Sequence, residues 1–149
     1  MKKGNSSNLR KGRFSEEGRV YLVTFATDKR QKVFTDLYLV RILVNCLKFQ
    51  AKRCDTLAYV VMPDHVHWLV QLNSTELSTI VHSVKSYSAK AINAYSGRQG
   101  AVWQNGFHDH ALRDEEDLVD LARYVVLNPI RAGLASKVGD YSHWDAVWI

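Results

Sequence analysis

Tyr59-Val60-Val61-Met62-Pro63-Asp64-His65-Val66-His67-Trp68-Leu69-Val70 is an apolar run broken once, at Pro63-Asp64, and then resumed. Pro and Asp are turn formers, and both flanks are rich in β-branched and aromatic residues. The stretch reads as two antiparallel strands, over 57–62 and 65–72, joined by a tight connection. Residues i and i+2 of a strand share a face. His65 and His67 therefore present two imidazoles side by side while Val66 packs behind them. Such a pair is a ready set of divalent-metal ligands. Two histidines on a half-exposed strand are more often plain surface residues, so the pair gains weight only from a second element. That element is Tyr124-Val125-Val126-Leu127-Asn128-Pro129.

Outward from the hairpin, residues 19–27 are β-branched and aromatic and read as a first strand. Asp36 caps a helix reaching about Lys52, with Leu37, Val40, Val44 and Leu47 on one stripe. A second helix begins near Thr75 or Glu76. Leu77, Ile80, Val81, Val84, Ala91, Ile92 and Tyr95 give it helical periodicity, and Gly97 stops it. Residues 107–112 alternate as a fourth strand. Asp114 caps a third helix, with Glu115, Glu116 and Asp117 in its first turn, and Pro129 ends it at Asn128. The segment from Ile130 onward carries no clear pattern. The order predicts an α+β, ferredoxin-like antiparallel sheet (βαββαβ) with helices on one face, followed by a C-terminal helix bearing Tyr124.

With 149 residues, 46% hydrophobic and 23% charged, the chain has the makings of one ordinary globular domain. No apolar stretch is long enough to span a bilayer, and the basic, polar N-terminus lacks an apolar signal region. Cys46 and Cys54 have neither zinc-site spacing nor disulfide-scaffold density. They read as free thiols in a reducing cytoplasm. The net charge of +5 is concentrated in an arm. Residues 1–19 hold six cations (Lys2, Lys3, Arg10, Lys11, Arg13, Arg19) against Glu16 and Glu17, a local +4. The expected organisation is a flexible basic arm over residues 1–18 and a single domain over 19–149. Basic arms often engage nucleic-acid phosphates; a solubilising tail has the same composition. Lys85 and Lys90, on the polar side of the second helix, and Arg113 and Arg131 join the arm as candidate phosphate contacts.

Tyr124 and Asn128 are four apart and so lie one helical turn apart. The Asn128 amide oxygen is a suitable hard ligand for Mg²⁺ or Mn²⁺. If this helix crosses near His65 and His67, three ligands converge on one metal beside a phenol. A tyrosine there can attack an electrophile, and a cation that polarises a phosphoryl oxygen suits that attack. Taken singly, Tyr124 reads as a core tyrosine and Asn128 as a C-terminal cap; the histidines make the sharper reading.

Met62-Pro63-Asp64-His65-Val66-His67 and the run from Tyr124-Val125-Val126-Leu127-Asn128-Pro129 through Ile130-Arg131-Ala132-Gly133-Leu134 resemble the two signatures of the REP-associated tyrosine transposases. These belong among the single-tyrosine HUH transposases. Val102-Trp103-Gln104-Asn105-Gly106-Phe107-His108-Asp109-His110-Ala111-Leu112-Arg113 resembles the family's third block, and Val23-Thr24-Phe25-Ala26-Thr27 with Arg30 its first strand. The resemblance covers roughly residues 19–145. It implies a metal-dependent endonuclease and strand transferase acting on single-stranded, hairpin-forming DNA. By position it makes His65 and His67 the metal ligands and Asn128 the third. It makes Tyr124 the nucleophile of a 5′-phosphotyrosine link. Asn rather than Gln at 128 aligns the chain with the REP-associated branch. His108, Asp109 and His110 are candidates to line the site, although His108 and His110 share one face of an alternating strand. Monomer and homodimer both remain open. A DNA-hairpin binding module without catalysis is the competing reading. A small metal-dependent hydrolase is a third, but the barrel hydrolases with an HxH motif need far more chain.

Overall fold

The computed structural model describes residues 18–113 and 118–146. Five strands, β1 (Val20–Ala26), β2 (Cys54–Met62), β3 (His65–Leu72), β4 (His108–Ala111) and β5 (Trp144–Ala146), form one antiparallel sheet in the order β4-β1-β3-β2-β5. The helices are α1 (Leu37–Lys48), α2 (Leu77–Ser96), α3 (Leu118–Val126) and the single turn α4 (Asn128–Arg131). The first four strands with α1 and α2 make the expected ferredoxin-like unit. Gly18, at the end of the anticipated arm, already donates its N–H to the Leu72 carbonyl.

Strand alternation sorts the side chains into two cores. On one face Val23, Phe25, Val66, Trp68 and Val70 meet Leu39, Val40, Leu43 and Leu47 of α1 and Ile80, Val81, Val84 and Ile92 of α2. On the other, Val20, Ala58, Val60, Met62 and Leu69 meet Ala122, Val125 and Val126 of α3 and Ala146 of β5. The molecule therefore has three layers, and the C-terminal helix covers the face opposite α1 and α2.

Several boundaries differ from expectation for identifiable reasons. The Asp36 carboxylate accepts the Tyr38 N–H and starts α1 as predicted, but the helix ends at Lys48. Its buried stripe is Leu39, Val40, Leu43 and Leu47; Leu37, in the first turn, is exposed. β2 begins at Cys54, and the register shift between Thr56 and Ala58 hides its first residues from an alternation reading. In α2 the buried face passes through Ser88 rather than Ala91 and Tyr95. The Ser88 hydroxyl accepts from Trp103 Nε1 at 2.9 Å, so a polar residue sits in the apolar stripe. Gly97, at φ +70°, ends the helix as expected. α3 stops at Val126 rather than Asn128. Pro129 does not terminate helix here but opens α4, where a missing N–H costs nothing. The C-terminal segment supplies β5, three residues paired to β2, too short to show periodicity. Asp114 and the acids at 115–117 lie outside the described residues, as do Lys2, Lys3, Arg10, Lys11 and Arg13.

Candidate functional site

β3 is the central strand, hydrogen-bonded on both sides, and His65 and His67 sit at its start. His65 faces Met62 on one neighbour and Ala26 on the other; His67 faces Val60 and Thr24. The two imidazoles lie on the α3 side of the sheet, with ring centroids 4.9 Å apart and planes at 89°. Both are partly buried, as the alternation predicts.

Each ring is held by its Nδ1. Asp64 Oδ1 lies 2.7 Å from His65 Nδ1, and Thr24 Oγ1 lies 2.9 Å from His67 Nδ1. An ionised carboxylate only accepts, so His65 Nδ1 carries a proton and donates it to Asp64, turning Nε2 away from that contact. The Thr24 hydroxyl can accept in the same way, which would leave the lone pair of His67 on Nε2. This is the outer-shell pattern that orients metal-binding histidines. Burial, with the charges of His65, Arg131 and Arg30, pushes the His67 pKa down to about 4, so the ring is neutral at pH 7. Burial raises the Asp64 carboxyl, but the hydrogen bond with His65 and the Arg30 guanidinium outweigh it and hold the group below its usual range. Arg30 Nε donates to Asp64 Oδ2 at 3.0 Å. Arg30 and Lys29 both have φ of 53°, a left-handed conformation that costs about 1–2 kcal/mol per non-glycine residue. The buried Thr27 anchors this loop: its N–H donates to the Asp64 carbonyl at 2.9 Å and its hydroxyl to the Gln31 carbonyl at 2.7 Å.

α3 packs over β2 and β3 and carries Tyr124 on its last turn. The ring is 6.4 Å from that of His67, centroid to centroid. Tyr124 is 47% exposed, so it is not a core tyrosine. Its neighbours Ala122, Val125 and Val126 take the buried positions. The Arg131 guanidinium stacks on the Tyr124 ring at 4.1 Å and also donates to the Tyr124 carbonyl. Asn128 Nδ2 donates to the Tyr124 and Val125 carbonyls, both at 3.1 Å. Asn128 therefore is the C-terminal cap of α3, and that same bonding leaves its Oδ1 as the group available to a cation. Two adjacent imidazoles and an amide oxygen are donor types that suit a divalent ion retaining water or phosphate ligands. Among the described residues, no three His, Cys, Asp or Glu side chains cluster as a self-sufficient metal cage.

The other candidates divide. His108 pairs with Thr24 and His110 with Leu22, which puts both on the histidine face, His108 on the same rung as His67. Asp109 pairs with Val23 and belongs to the opposite face, so strand alternation removes it from the site lining. Arg113 follows the far end of β4, at the end of the sheet remote from His65. Lys85 and Lys90 lie on α2, across the sheet. Lys85 Nζ donates to the Gln104 and Gly106 carbonyls, at 2.6 and 2.7 Å, and so fastens a loop rather than facing the histidines. Thr24 and the grip of Arg30 on Asp64 escape sequence reasoning. Thr24 looks like strand filler, and only its register opposite His67 gives it a role.

The family model described as "Transposase IS200 like" matches residues 17–127. A protein of Haemophilus influenzae described as a REP-associated tyrosine transposase is 24% identical over 144 residues, spanning 85% of this chain and 79% of its own. The REP-associated tyrosine transposase of Escherichia coli K12 is 27% identical over 86 residues, spanning 56% of this chain and 49% of its own. Among solved structures, a REP-associated tyrosine transposase bound to a REP hairpin superposes with a TM-score of 0.72 at 24% identity, over 89% of this chain and 79% of that one.

Proposed function

The chain belongs to the IS200-like transposase family, and from that premise we propose that it cleaves and rejoins single-stranded, hairpin-forming, REP-like DNA through a covalent link to Tyr124. The observation that carries this reading is the position of Tyr124. It is an exposed phenol on the last turn of a helix packed over the His65–His67 face, with a guanidinium on its ring.

The Tyr124 oxygen attacks the scissile phosphorus and gives up its proton to solvent. A phosphorus–oxygen bond forms, the bond from phosphorus to the 3′ oxygen breaks, and that oxygen leaves as a hydroxyl after taking a proton from water. Attack by a 3′-hydroxyl on the phosphotyrosine reverses these bonds and joins the strands. His65 Nε2, His67 Nε2 and Asn128 Oδ1 would hold Mg²⁺ or Mn²⁺, which would polarise a phosphoryl oxygen when bound. Arg131 supplies positive charge where negative charge develops. Asp64 and Thr24 keep the imidazoles in the ligating tautomer. The relatives' names and the hairpin bound by the structural neighbour support the choice of substrate.

The test is a denaturing gel of protein incubated with end-labelled hairpin DNA and Mn²⁺. Wild type should give a slow protein–DNA band, and Tyr124→Phe should bind the DNA but give none. A band that persists in Tyr124→Phe would refute the assignment. Tight hairpin binding with no band in any variant would favour the non-catalytic binding module.

A further inference from the structure

The outer face of α1 and α2, across the sheet from the histidines, carries four exposed aromatic rings. Tyr38 is 58% exposed, Phe49 79%, Tyr87 60% and Tyr95 55%. They form two pairs that bridge the helices, Tyr38 with Tyr95 at 5.8 Å and Phe49 with Tyr87 at 6.4 Å. Tyrosine and phenylalanine are seldom left in water in this number on one face, and here each already touches its partner without being covered. The surrounding charge is mostly positive, with Asp36 at the helix start beside Tyr38 as the exception. Neither helix contains Asp or Glu, while Arg41, Lys48 and Lys90 are exposed on them. Those three cations have no ion-pair partner among the described residues. Tyr87 and Tyr95 are eight residues apart, about 12 Å along the helix axis at 1.5 Å per residue. Lys90 lies between them, and exposed Ala91 and Ala94 leave the floor open.

We propose that this face is a second binding surface, for a single strand of DNA, on which bases stack against the two ring pairs while Arg41, Lys48 and Lys90 contact phosphates. Base–aromatic stacking is indifferent to sequence and pairs naturally with a cationic track. The charge complementarity selects this occupant. A second copy of the chain would set the same cations against one another. The surface lies on the opposite side of the sheet from Tyr124, so it suits the unpaired strand beside a hairpin rather than the strand being cut.

The test uses fluorescence anisotropy with two probes, a blunt hairpin and the same hairpin bearing a single-stranded oligothymidylate tail. Tyr87→Ala with Tyr95→Ala should weaken binding of the tailed probe by about 10-fold or more and leave the blunt probe unchanged. Tyr87→Phe with Tyr95→Phe should restore it, and Lys90→Ala should flatten the salt dependence for the tailed probe. The measurements are repeated in Tyr124→Phe. There the tail effect should persist, so it is separable from the cleavage chemistry. Equal affinities of the Ala variant and wild type for the tailed probe would overturn the proposal. So would a change in sedimentation or in binding to anionic phospholipid vesicles with DNA affinity untouched.

Discussion

Protonation of His67 should make the metal-free protein markedly less stable in mild acid. The ring is partly buried beside His65, Arg131 and Arg30, and its pKa falls from 6.5 in the unfolded chain to about 4 in the folded one. Between those values the unfolded chain binds a proton that the folded chain refuses, so stability rises with pH across that window. The contribution is fully present above pH 6.5 and lost as pH falls toward 4. At about 1.4 kcal/mol per pKa unit, the displacement amounts to about 3 kcal/mol, a large part of a typical domain's stability. The assay is urea unfolding in EDTA at a series of pH values between 4 and 7, for wild type and His67→Gln. The variant has its own stability at pH 7; the informative quantity is the change with pH. Wild type should lose about 3 kcal/mol more than His67→Gln over the range. Parallel curves for the two proteins would show that His67 is not held neutral by its surroundings, and the account of the site's electrostatics would fail.

Thr24→Val keeps the shape and the strand preference of the residue but frees His67 Nδ1. Mn²⁺ affinity, measured by calorimetry, should fall about 10–100-fold, with cleavage recovered at raised Mn²⁺; unchanged affinity would remove Thr24 from the metal's support. Asp64→Asn should act likewise through His65 and also release Arg30, whereas Arg30→Gln, at an exposed ion pair, should change thermal stability by less than about 1 kcal/mol. Deleting residues 1–13 removes five cations and no acid. Hairpin affinity should drop and its salt slope flatten, with little change in melting temperature, and an identical slope would leave the arm as a solubility tail.

The hairpin of β2 and β3 was legible because Pro63-Asp64 punctuates an apolar run and strand alternation is strict at His65, Val66 and His67. The same rule shows why Asp109 is not beside them. Hidden features are those fixed by register or by long-range contact. The bulge at Leu57 has no local signature. Ser88 reads as a break in an apolar stripe until Trp103 is seen bonding to it. β5 is shorter than any period. Pro129 is ambiguous in sequence because a proline one residue past a helix and a proline opening the next turn look alike there. Tyr124 and Asn128 were recognisable as neighbours, but the partition of labour is visible only in three dimensions, where Asn128 caps the helix with one end of its amide.

The two halves of the site are built on parts of unequal cohesion. His65 and His67 belong to a strand laddered on both sides, whose amides should exchange with solvent only when the whole sheet opens. Tyr124 rides on a nine-residue helix that is joined to the sheet by one buried face and then breaks into the short turn that holds Asn128 and Arg131. That module can lift as a local opening at a fraction of the global free energy, taking phenol, amide and guanidinium with it while the imidazoles stay in place. Deuterium uptake should therefore report two separate protection levels within a single site.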